Sequence, residues 1–162
     1  MIQVLPSIDR QEFAELERLL AKQKIPTQQA GNRFEFPKFR AMTFGLTRYR
    51  TDRFISCAKS NEKYPELFEE LLRIGHKYCP IPFTSVYINN NVVCPKHFDR
   101  GNAGLSMIIS LGDYTGCNLV IENEIYDAKY TPIVFDGTKL EHYNTDDLVG
   151  NKYSLIFFNV KN

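Results

Sequence analysis

The residues of this chain best suited to carry chemistry are two histidines and an aspartate. His97 and Asp99 are separated by one residue, and His142 follows His97 by 45 positions. Side chains two apart on an extended segment point the same way, so His97 and Asp99 can face one point that His142 reaches from another strand. Two imidazoles and one carboxylate on one side of a metal leave about three coordination positions open, as in non-haem Fe(II) sites. An open zinc site uses similar ligands, so these residue types leave the metal undecided.

A lysine and a serine further along the chain could bind an anion beside such a metal. Lys152 and Ser154 are two residues apart, so they share one face of the last predicted strand and both point inward if the strands form a barrel. A buried carboxylate is tolerated only when it is paired with a cation and hydrogen-bonded, and these residues supply an ammonium and a hydroxyl. The pair therefore fits the far carboxylate of a dicarboxylic acid.

The surrounding sequence predicts the elements that must position these side chains. Amphipathic helices are expected over residues 7–22 and 64–78, where apolar side chains recur at helical spacing. After Pro82 the chain consists of short runs rich in β-branched and aromatic residues, separated by Gly, Asn, Asp and Pro. The expected strands are 41–50, 83–89, 105–111, 118–122, 132–135, 139–144 and 153–160. This order predicts a mainly β, α+β fold with a jelly-roll core braced by two helices from the first half of the chain.

Length, charge and cysteine usage limit the class of protein. The 162 residues and net charge of +1 predict a single domain over 1–162, in which 1–80 supplies helical support and a basic segment and 81–162 the core with the metal site. No run approaches the roughly 18 apolar residues of a membrane helix, and the four cysteines form no Cys-x-x-Cys pair. We expect a soluble protein of the cytoplasm or nucleus, with reduced thiols, no membrane contact and no obligate protein partner.

Over residues 83–160 the chain resembles the Fe(II)/2-oxoglutarate-dependent dioxygenases. The shared pattern is His97-x-Asp99, then His142, then a basic residue ten positions later with a serine two beyond it. The resemblance implies a double-stranded β-helix in which His97, Asp99 and His142 hold catalytic Fe(II). It also implies 2-oxoglutarate as cosubstrate, O2 as oxidant and ascorbate as a possible reductant.

The same resemblance implies which residues bind the far carboxylate of 2-oxoglutarate. These are Lys152, Ser154 and, by a looser match, Tyr87. The last arginine of the chain is Arg100, so the arginine that many relatives place on the final strand is replaced by lysine. Because lysine is a point charge without a bidentate fork, the two hydroxyls are expected to matter more for orienting the cosubstrate. The absence of paired C-terminal arginines argues against the AlkB branch.

A shorter stretch resembles the TET/JBP group, which oxidises the 5-methyl group of pyrimidines in DNA. The run from His97 to Asn102 fits a His-x-Asp-x-x-Asn pattern, and Ser-Leu-Gly-Asp-Tyr-Thr-Gly follows at 110–116, with Cys117 where a glycine is expected. The resemblance implies 5-methylcytosine or thymine in DNA as substrate, either single-stranded or flipped out of a duplex. Arg100 and Asn102, next to the iron ligands, are candidates for touching the base or positioning the loop.

A basic segment could meet the phosphates of such a substrate. Residues 33–53 carry six basic side chains and two acidic ones, interleaved with aromatic residues. Arg48 and Arg50 would share one face of a strand and suit phosphate contacts. The same charges also suit a solvated strand edge that resists sheet-to-sheet association, so both interpretations stay open.

Other functions are compatible with parts of this pattern. A prolyl- or lysyl-type protein hydroxylase of the same superfamily is favoured by Lys152, because such enzymes often use lysine for the distal carboxylate. A non-catalytic metal-binding jelly roll, with Cys94 joining a zinc site, is a second alternative. An oxygenase of small molecules is a third, because the chain is short for wrapping a macromolecule.

Overall fold

Antiparallel strands dominate the second half of the chain, as its β-branched and aromatic runs predict. The computed structural model describes residues 1–28, 39–48 and 54–162. Its helices are a 3-10 turn at Arg10–Phe13, α1 at Ala14–Lys22, α2 at Ser60–Lys63 and α3 at Pro65–Tyr78. Its strands are β1 Gln3–Val4, β2 Thr27–Gln28, β3 Phe39–Thr47, β4 Ser56–Cys57, β5 Ser85–Asn90, β6 Ser106–Leu111, β7 Tyr114–Thr115, β8 Leu119–Ile121, β9 Glu124–Tyr126, β10 Ile133–Phe135, β11 His142–Asn144, β12 Val149–Gly150 and β13 Tyr153–Phe158.

The strands form a large sheet and a smaller one that face a common interior. The large sheet has the order β1-β10-β6-β13-β5-β3-β2, with β4 paired to β3. The smaller sheet has the order β11-β8-β9, and β12 pairs with β7. An isolated antiparallel bridge between His97 and His142 extends the smaller sheet beyond β11. Side chains from both sheets line one cavity.

The two-residue period of the strands separates a helix-facing side from a cavity-facing side. On β6, Met107, Ile109 and Leu111 join a buried cluster that contains Leu16 of α1 and Leu71 of α3. The alternate residues Ser106 and Ile108 of the same strand face the other way and line the cavity. The helices therefore brace the outer face of the large sheet and leave its inner face to the site.

The ends of both helices follow from local chemistry. Pro65 occupies the first turn of α3, where its missing N–H needs no partner. Asp9 accepts a hydrogen bond of 2.8 Å from the backbone N–H of Gln11 and caps the 3-10 turn. The first predicted helix therefore begins at Arg10 and becomes α-helical only at Ala14.

The structure confirms the predicted mainly β jelly roll braced by two helices. Residues before 80 also contribute to the large sheet, through β1, β2 and β3. The strand predicted at 41–50 ends at Thr47, so Arg48 follows it, while Arg50 lies outside the described residues. The strand predicted at 139–144 keeps only its last three residues. Within the described ranges, every helix is too short or too polar to cross a lipid bilayer.

Candidate metal centre

The two histidines of the predicted site lie opposite each other on adjacent backbone segments. The N–H of His97 donates to the carbonyl of His142 at 3.0 Å, and the N–H of His142 donates to the carbonyl of His97 at 3.1 Å. Two residues further on, the N–H of Asp99 donates to the carbonyl of Gly137 at 2.8 Å. This pairing brings the three side chains to one point although His97 and His142 are far apart in the sequence.

The three side chains converge as a metal site requires. One ligand atom from each of His97, Asp99 and His142 lies within 4.8 Å of the other two. Oδ1 of Asp99 is 3.3 Å from Nε2 of His97, and Oδ2 is 3.4 Å from Nε2 of His142. Ligands bound about 2.1 Å from one ion lie roughly 3 to 4 Å from one another, so these separations suit a shared metal.

Both histidines are oriented through their other ring nitrogen. Nδ1 of His97 lies 2.7 Å from the carbonyl oxygen of Pro95, and Nδ1 of His142 lies 2.8 Å from that of Leu140. Because a carbonyl can only accept, each Nδ1 carries a proton, and each ring turns its Nε2 toward Asp99. This is the outer hydrogen bond that metal-binding histidines almost always make.

The electrostatics of the cluster also favour a cation. Burial alone would raise the pKa of the Asp99 carboxyl, but hydrogen bonds with His142 and His97 outweigh it and hold that pKa well below its usual range. The carboxylate therefore stays ionised. Two Nε2 atoms and a carboxylate converge here, so a positive charge must lie among them, either a proton on Nε2, as these hydrogen bonds require, or a metal ion that takes the place of that proton. The residues fit a divalent metal.

Gly137 makes room for the carboxylate, a role that the sequence analysis missed. A Cβ at this position would lie 2.2 Å from Oδ2 of Asp99 and 3.0 Å from Cε1 of His142. The adjacent Asp136 accepts hydrogen bonds from the backbone N–H of Thr138 and, through its carbonyl, of Leu140. An Asp-Gly pair signals a turn in the sequence. That this turn packs on Asp99 of the triad could not be read from the same pair.

The triad opens into a cavity of about 270 Å³. It is lined by Tyr87, Asn89, Cys94, His97, Asp99, Asn102, Ser106, Ile108, Leu119, Phe135, His142, Tyr143, Asn144, Ser154, Ile156 and Phe158. The predicted residues Tyr87 and Ser154 are therefore inside it with the triad. Burial raises the pKa of the Tyr87 phenol, so this side chain remains a neutral hydroxyl.

Lys152 lies just beyond this lining, buried to 4% exposure. Its ammonium donates to the carbonyl oxygen of Cys117 at 2.8 Å and to Sγ of Cys117 at 3.3 Å. No acidic side chain among the described residues forms an ion pair with it. An ammonium has three N–H groups, so one remains for a further acceptor. A buried cation without an anion is costly, and this position therefore favours an anionic ligand.

Cys94 lines the cavity but does not join the metal cluster. The described residues place only His97, Asp99 and His142 in a group able to share an ion. Burial raises the pKa of the Cys94 thiol to about 11, so it stays protonated. A zinc site that includes Cys94 is not supported by this geometry.

A group of polar residues adjoins the cavity and is called here the cationic shelf. It consists of Thr43, Thr47, Arg48, Arg100 and Lys161. The guanidinium of Arg48 donates to the backbone carbonyl of Lys161 at 3.2 Å, which ties the end of β3 to the C-terminal segment. The predicted Arg48 and Arg100 thus lie on one surface. Lys161 was missed, because residues from three distant parts of the chain form the shelf.

Asn102 connects the shelf to the cavity. Together with Phe158 it lines both of them. The fourth predicted substrate residue, Arg50, falls outside the described residues.

Comparison with known proteins places this geometry in a structural class. No protein-family model and no curated protein sequence matches the chain. NgTET1 in complex with 5mC DNA aligns at 14% identity over 97% of this chain and 69% of its own, with a TM-score of 0.65. An oxidoreductase of the 2OG-Fe(II) oxygenase family from Burkholderia pseudomallei aligns at 17% identity over 97% of this chain and 84% of its own, with a TM-score of 0.63. The chain has the fold of the 2OG-Fe(II) oxygenases.

A third solved structure with a similar fold is that of a hydroxylase. A prolyl-4-hydroxylase from Pseudomonas putida aligns at 12% identity over 99% of this chain and 92% of its own, with a TM-score of 0.54. The likenesses confirm the double-stranded β-helix that the sequence resemblance implied. In this oxygenase fold, the His97, Asp99 and His142 cluster faces the interior between the two sheets.

Proposed function

We propose that this protein is an Fe(II)- and 2-oxoglutarate-dependent dioxygenase. The observation that carries the proposal is the convergence of His97, Asp99 and His142 within 4.8 Å, in a cavity of a 2OG-Fe(II) oxygenase fold. When bound, Fe(II) with 2-oxoglutarate and O2 supplies oxidation of a substrate C–H bond, coupled to decarboxylation of the keto acid to succinate. The chain itself contributes the ligands, the orientation of both imidazoles and a shielded cavity.

The far carboxylate of 2-oxoglutarate is proposed to bind between Lys152, Ser154 and Tyr87. Lys152 has one N–H beyond its two hydrogen bonds to Cys117, and Ser154 and Tyr87 present hydroxyls to the cavity. A carboxylate there neutralises the buried ammonium and accepts from both hydroxyls. The keto-acid end then extends toward the triad along the inner face of the large sheet.

The proposed substrate is the 5-methyl group of a pyrimidine, 5-methylcytosine or thymine, in DNA. A base inside a duplex cannot reach an enclosed metal, so the nucleotide must be single-stranded or flipped out. The cationic shelf supports this proposal because Arg48, Arg100 and Lys161 lie beside the cavity, where the phosphates of such a nucleotide would run. NgTET1, whose structure contains 5mC DNA, has the same fold. Asn102, which lines both shelf and cavity, is proposed to contact the base.

A direct assay tests this proposal. Purified protein with Fe(II), 2-oxoglutarate and ascorbate is incubated with single-stranded and duplex oligonucleotides that contain 5-methylcytosine or thymine, and nucleosides and succinate are measured by mass spectrometry. We expect hydroxymethyl nucleosides in proportion to succinate. Hydroxylation of prolyl or lysyl peptides without change to the nucleosides would instead establish the protein-hydroxylase alternative, which Lys152 favours.

Two aspartate-to-alanine variants, one inside the triad and one on the surface, test the metal site. Asp99→Ala removes the carboxylate between the two imidazoles and should abolish both Mn(II) binding and succinate formation. Asp146→Ala, which removes an exposed aspartate, should leave both unchanged. Full turnover by the Asp99 variant would contradict the proposed ligand set.

A further inference from the structure

One buried polar atom in the cavity is not accounted for by the metal or by the proposed cosubstrate contacts. Ser106 is 1% exposed and lines the cavity. Its Oγ has no hydrogen-bond partner among the described residues. A buried hydroxyl without a partner destabilises the folded state, and such groups in native proteins call for a specific explanation. A ligand that enters the cavity would supply the missing partner.

Strand register places Ser106 far from the cosubstrate end of the cavity. On β6, Ser110 pairs with Ser154 of β13, next to Lys152. Ser106 lies four residues further along β6 and pairs with Phe135 of β10. Four residues of strand span roughly 13 Å. The hydroxyls of Ser154 and Ser106 therefore mark opposite ends of one cavity.

The surroundings of Ser106 suit a flat ring with one polar edge. Phe135 and Phe158 line the cavity at this end, and the Phe135 ring meets the His142 ring edge to face at 5.0 Å between centroids. This end therefore lies against a metal ligand. Asn102 and Phe158 line both this end of the cavity and the cationic shelf. Aromatic walls beside the metal, one hydroxyl and a cationic exit match a nucleotide whose base is inside and whose phosphate is outside.

We infer that Ser106 hydrogen-bonds the polar edge of the substrate's pyrimidine ring, an inference that rests on the proposed function. A serine hydroxyl both donates and accepts. It can therefore bind the 4-oxo group of thymine as a donor and the 4-amino group of 5-methylcytosine as an acceptor. Ser106 anchors either base and does not discriminate between them. Selection between the two bases must come from other residues.

Two identical substitutions at opposite ends of the cavity test the inference. Ser106→Ala should lower kcat/KM for both 5-methylcytosine and thymine oligonucleotides about tenfold, as loss of one hydrogen bond does, with the KM for 2-oxoglutarate unchanged. Ser154→Ala should raise the KM for 2-oxoglutarate and leave kcat/KM for both oligonucleotides unchanged. Because Ser106→Ala removes an unpaired buried hydroxyl, its melting temperature should be at or above that of the wild type. A merely structural serine would lower the melting temperature when replaced.

A binding measurement separates this inference from the proposed function. The probe is a fluorescein-labelled single-stranded oligonucleotide with one 5-methylcytosine, titrated with Mn(II)-loaded protein and read by anisotropy. Wild-type binding with about tenfold weaker binding by Ser106→Ala supports the inference. Equal binding and equal turnover by the two proteins overturn the role of Ser106 and leave the proposed function standing. A wild type that neither binds nor oxidises any oligonucleotide overturns both.

Discussion

Each histidine of the triad has one ring nitrogen committed to a backbone carbonyl, and this fixes what the other nitrogen can do. Pro95 and Leu140 supply those carbonyls, so the two Nε2 atoms are left to face the Asp99 carboxylate. The His-x-Asp spacing predicted that these residues could meet. The carbonyls that orient the rings could not be predicted, since they depend on backbone conformation around each histidine.

At Gly137, the absence of a side chain is itself part of the metal site. Gly137→Ala would put a methyl group 2.2 Å from Oδ2 of Asp99 and displace the carboxylate. We expect Mn(II) affinity to fall at least about tenfold, as for other groups that support metal ligands. Gly101→Ala, whose Cβ would meet no atom within 4 Å, should keep wild-type affinity. Calorimetric titration of both variants makes the comparison, and equal affinities would show that the turn can move aside.

Cys117 is held in an unusual backbone conformation beside Lys152. Its φ is +51°, a left-handed value that costs energy for a residue with a Cβ. Its backbone N–H donates to Oδ1 of Asp147 at 2.8 Å, and its Sγ and carbonyl accept from Lys152. We regard Cys117 as a positioning residue for Lys152, the proposed ligand of the cosubstrate carboxylate.

The hydrogen-bonding capacity of residue 117 should control use of the cosubstrate. Cys117→Ala removes Sγ and is expected to raise the KM for 2-oxoglutarate about threefold to tenfold with little change in kcat. Cys117→Ser keeps an acceptor and should restore most of the affinity. Lys152→Met removes the ammonium itself and should therefore give the largest rise in the KM for 2-oxoglutarate. Steady-state kinetics at varied 2-oxoglutarate measure all three, and an unaltered KM in Cys117→Ala would disprove the positioning role.

At the scale of elements, the long strands, the wholly apolar three-residue strands β8 and β10 and both main helices could be predicted, and the other short strands could not. In β6, alternation places Met107 on the helix side and Ser106 on the cavity side, a pattern that a strand carries in its own sequence. By contrast, β7, β9 and β12 have two or three residues each, too few for a period to be recognised. The strand predicted at 139–144 was too long because a hydrogen-bonded turn occupies 136–140.

Packing of α3 on the large sheet should contribute much of the stability. Leu71 is fully buried in the cluster between helix and sheet. Leu71→Ala is expected to lower the free energy of unfolding by about 2–5 kcal/mol, because it leaves a cavity in a packed core. Leu105→Ala removes the same atoms from a side chain that is 41% exposed. This variant should change the free energy of unfolding by less than about 0.5 kcal/mol. Urea denaturation followed by circular dichroism measures both, and similar losses would mean that the helix layer is loosely packed.

Over the whole molecule, charge is distributed more unevenly than the net value of +1 suggests. Residues 1–60 carry eleven basic and six acidic side chains, whereas residues 61–162 carry nine and thirteen. This asymmetry could be read from the sequence. The cationic shelf could not, because it joins Arg48, Arg100 and Lys161 from the end of β3, the loop after Asp99 and the C-terminal segment.

Salt dependence of DNA binding should identify the shelf residues that contact phosphate. For single strands, each neutralised phosphate contributes about 0.7 to the slope of log K against log salt concentration. Arg100→Gln and Lys161→Gln should each reduce that slope by about 0.7. Lys22→Gln, in the last turn of α1, should not. Anisotropy titrations from low to moderate salt provide the slopes, and slopes that match the wild type in both shelf variants would place the DNA elsewhere.

The mutual backbone pairing of His97 and His142 links metal occupancy to the integrity of the fold. The bridge between them is the outermost pairing of the smaller sheet, where a sheet frays most readily. An ion held by both imidazoles clamps this edge, and binding to the native state alone stabilises it by mass action. For the proposed iron-dependent enzyme, loss of iron would therefore do more than stop the reaction. It would loosen this edge of the smaller sheet and make it more accessible to proteases. The cellular supply of iron would then set the lifetime of the protein as well as its activity.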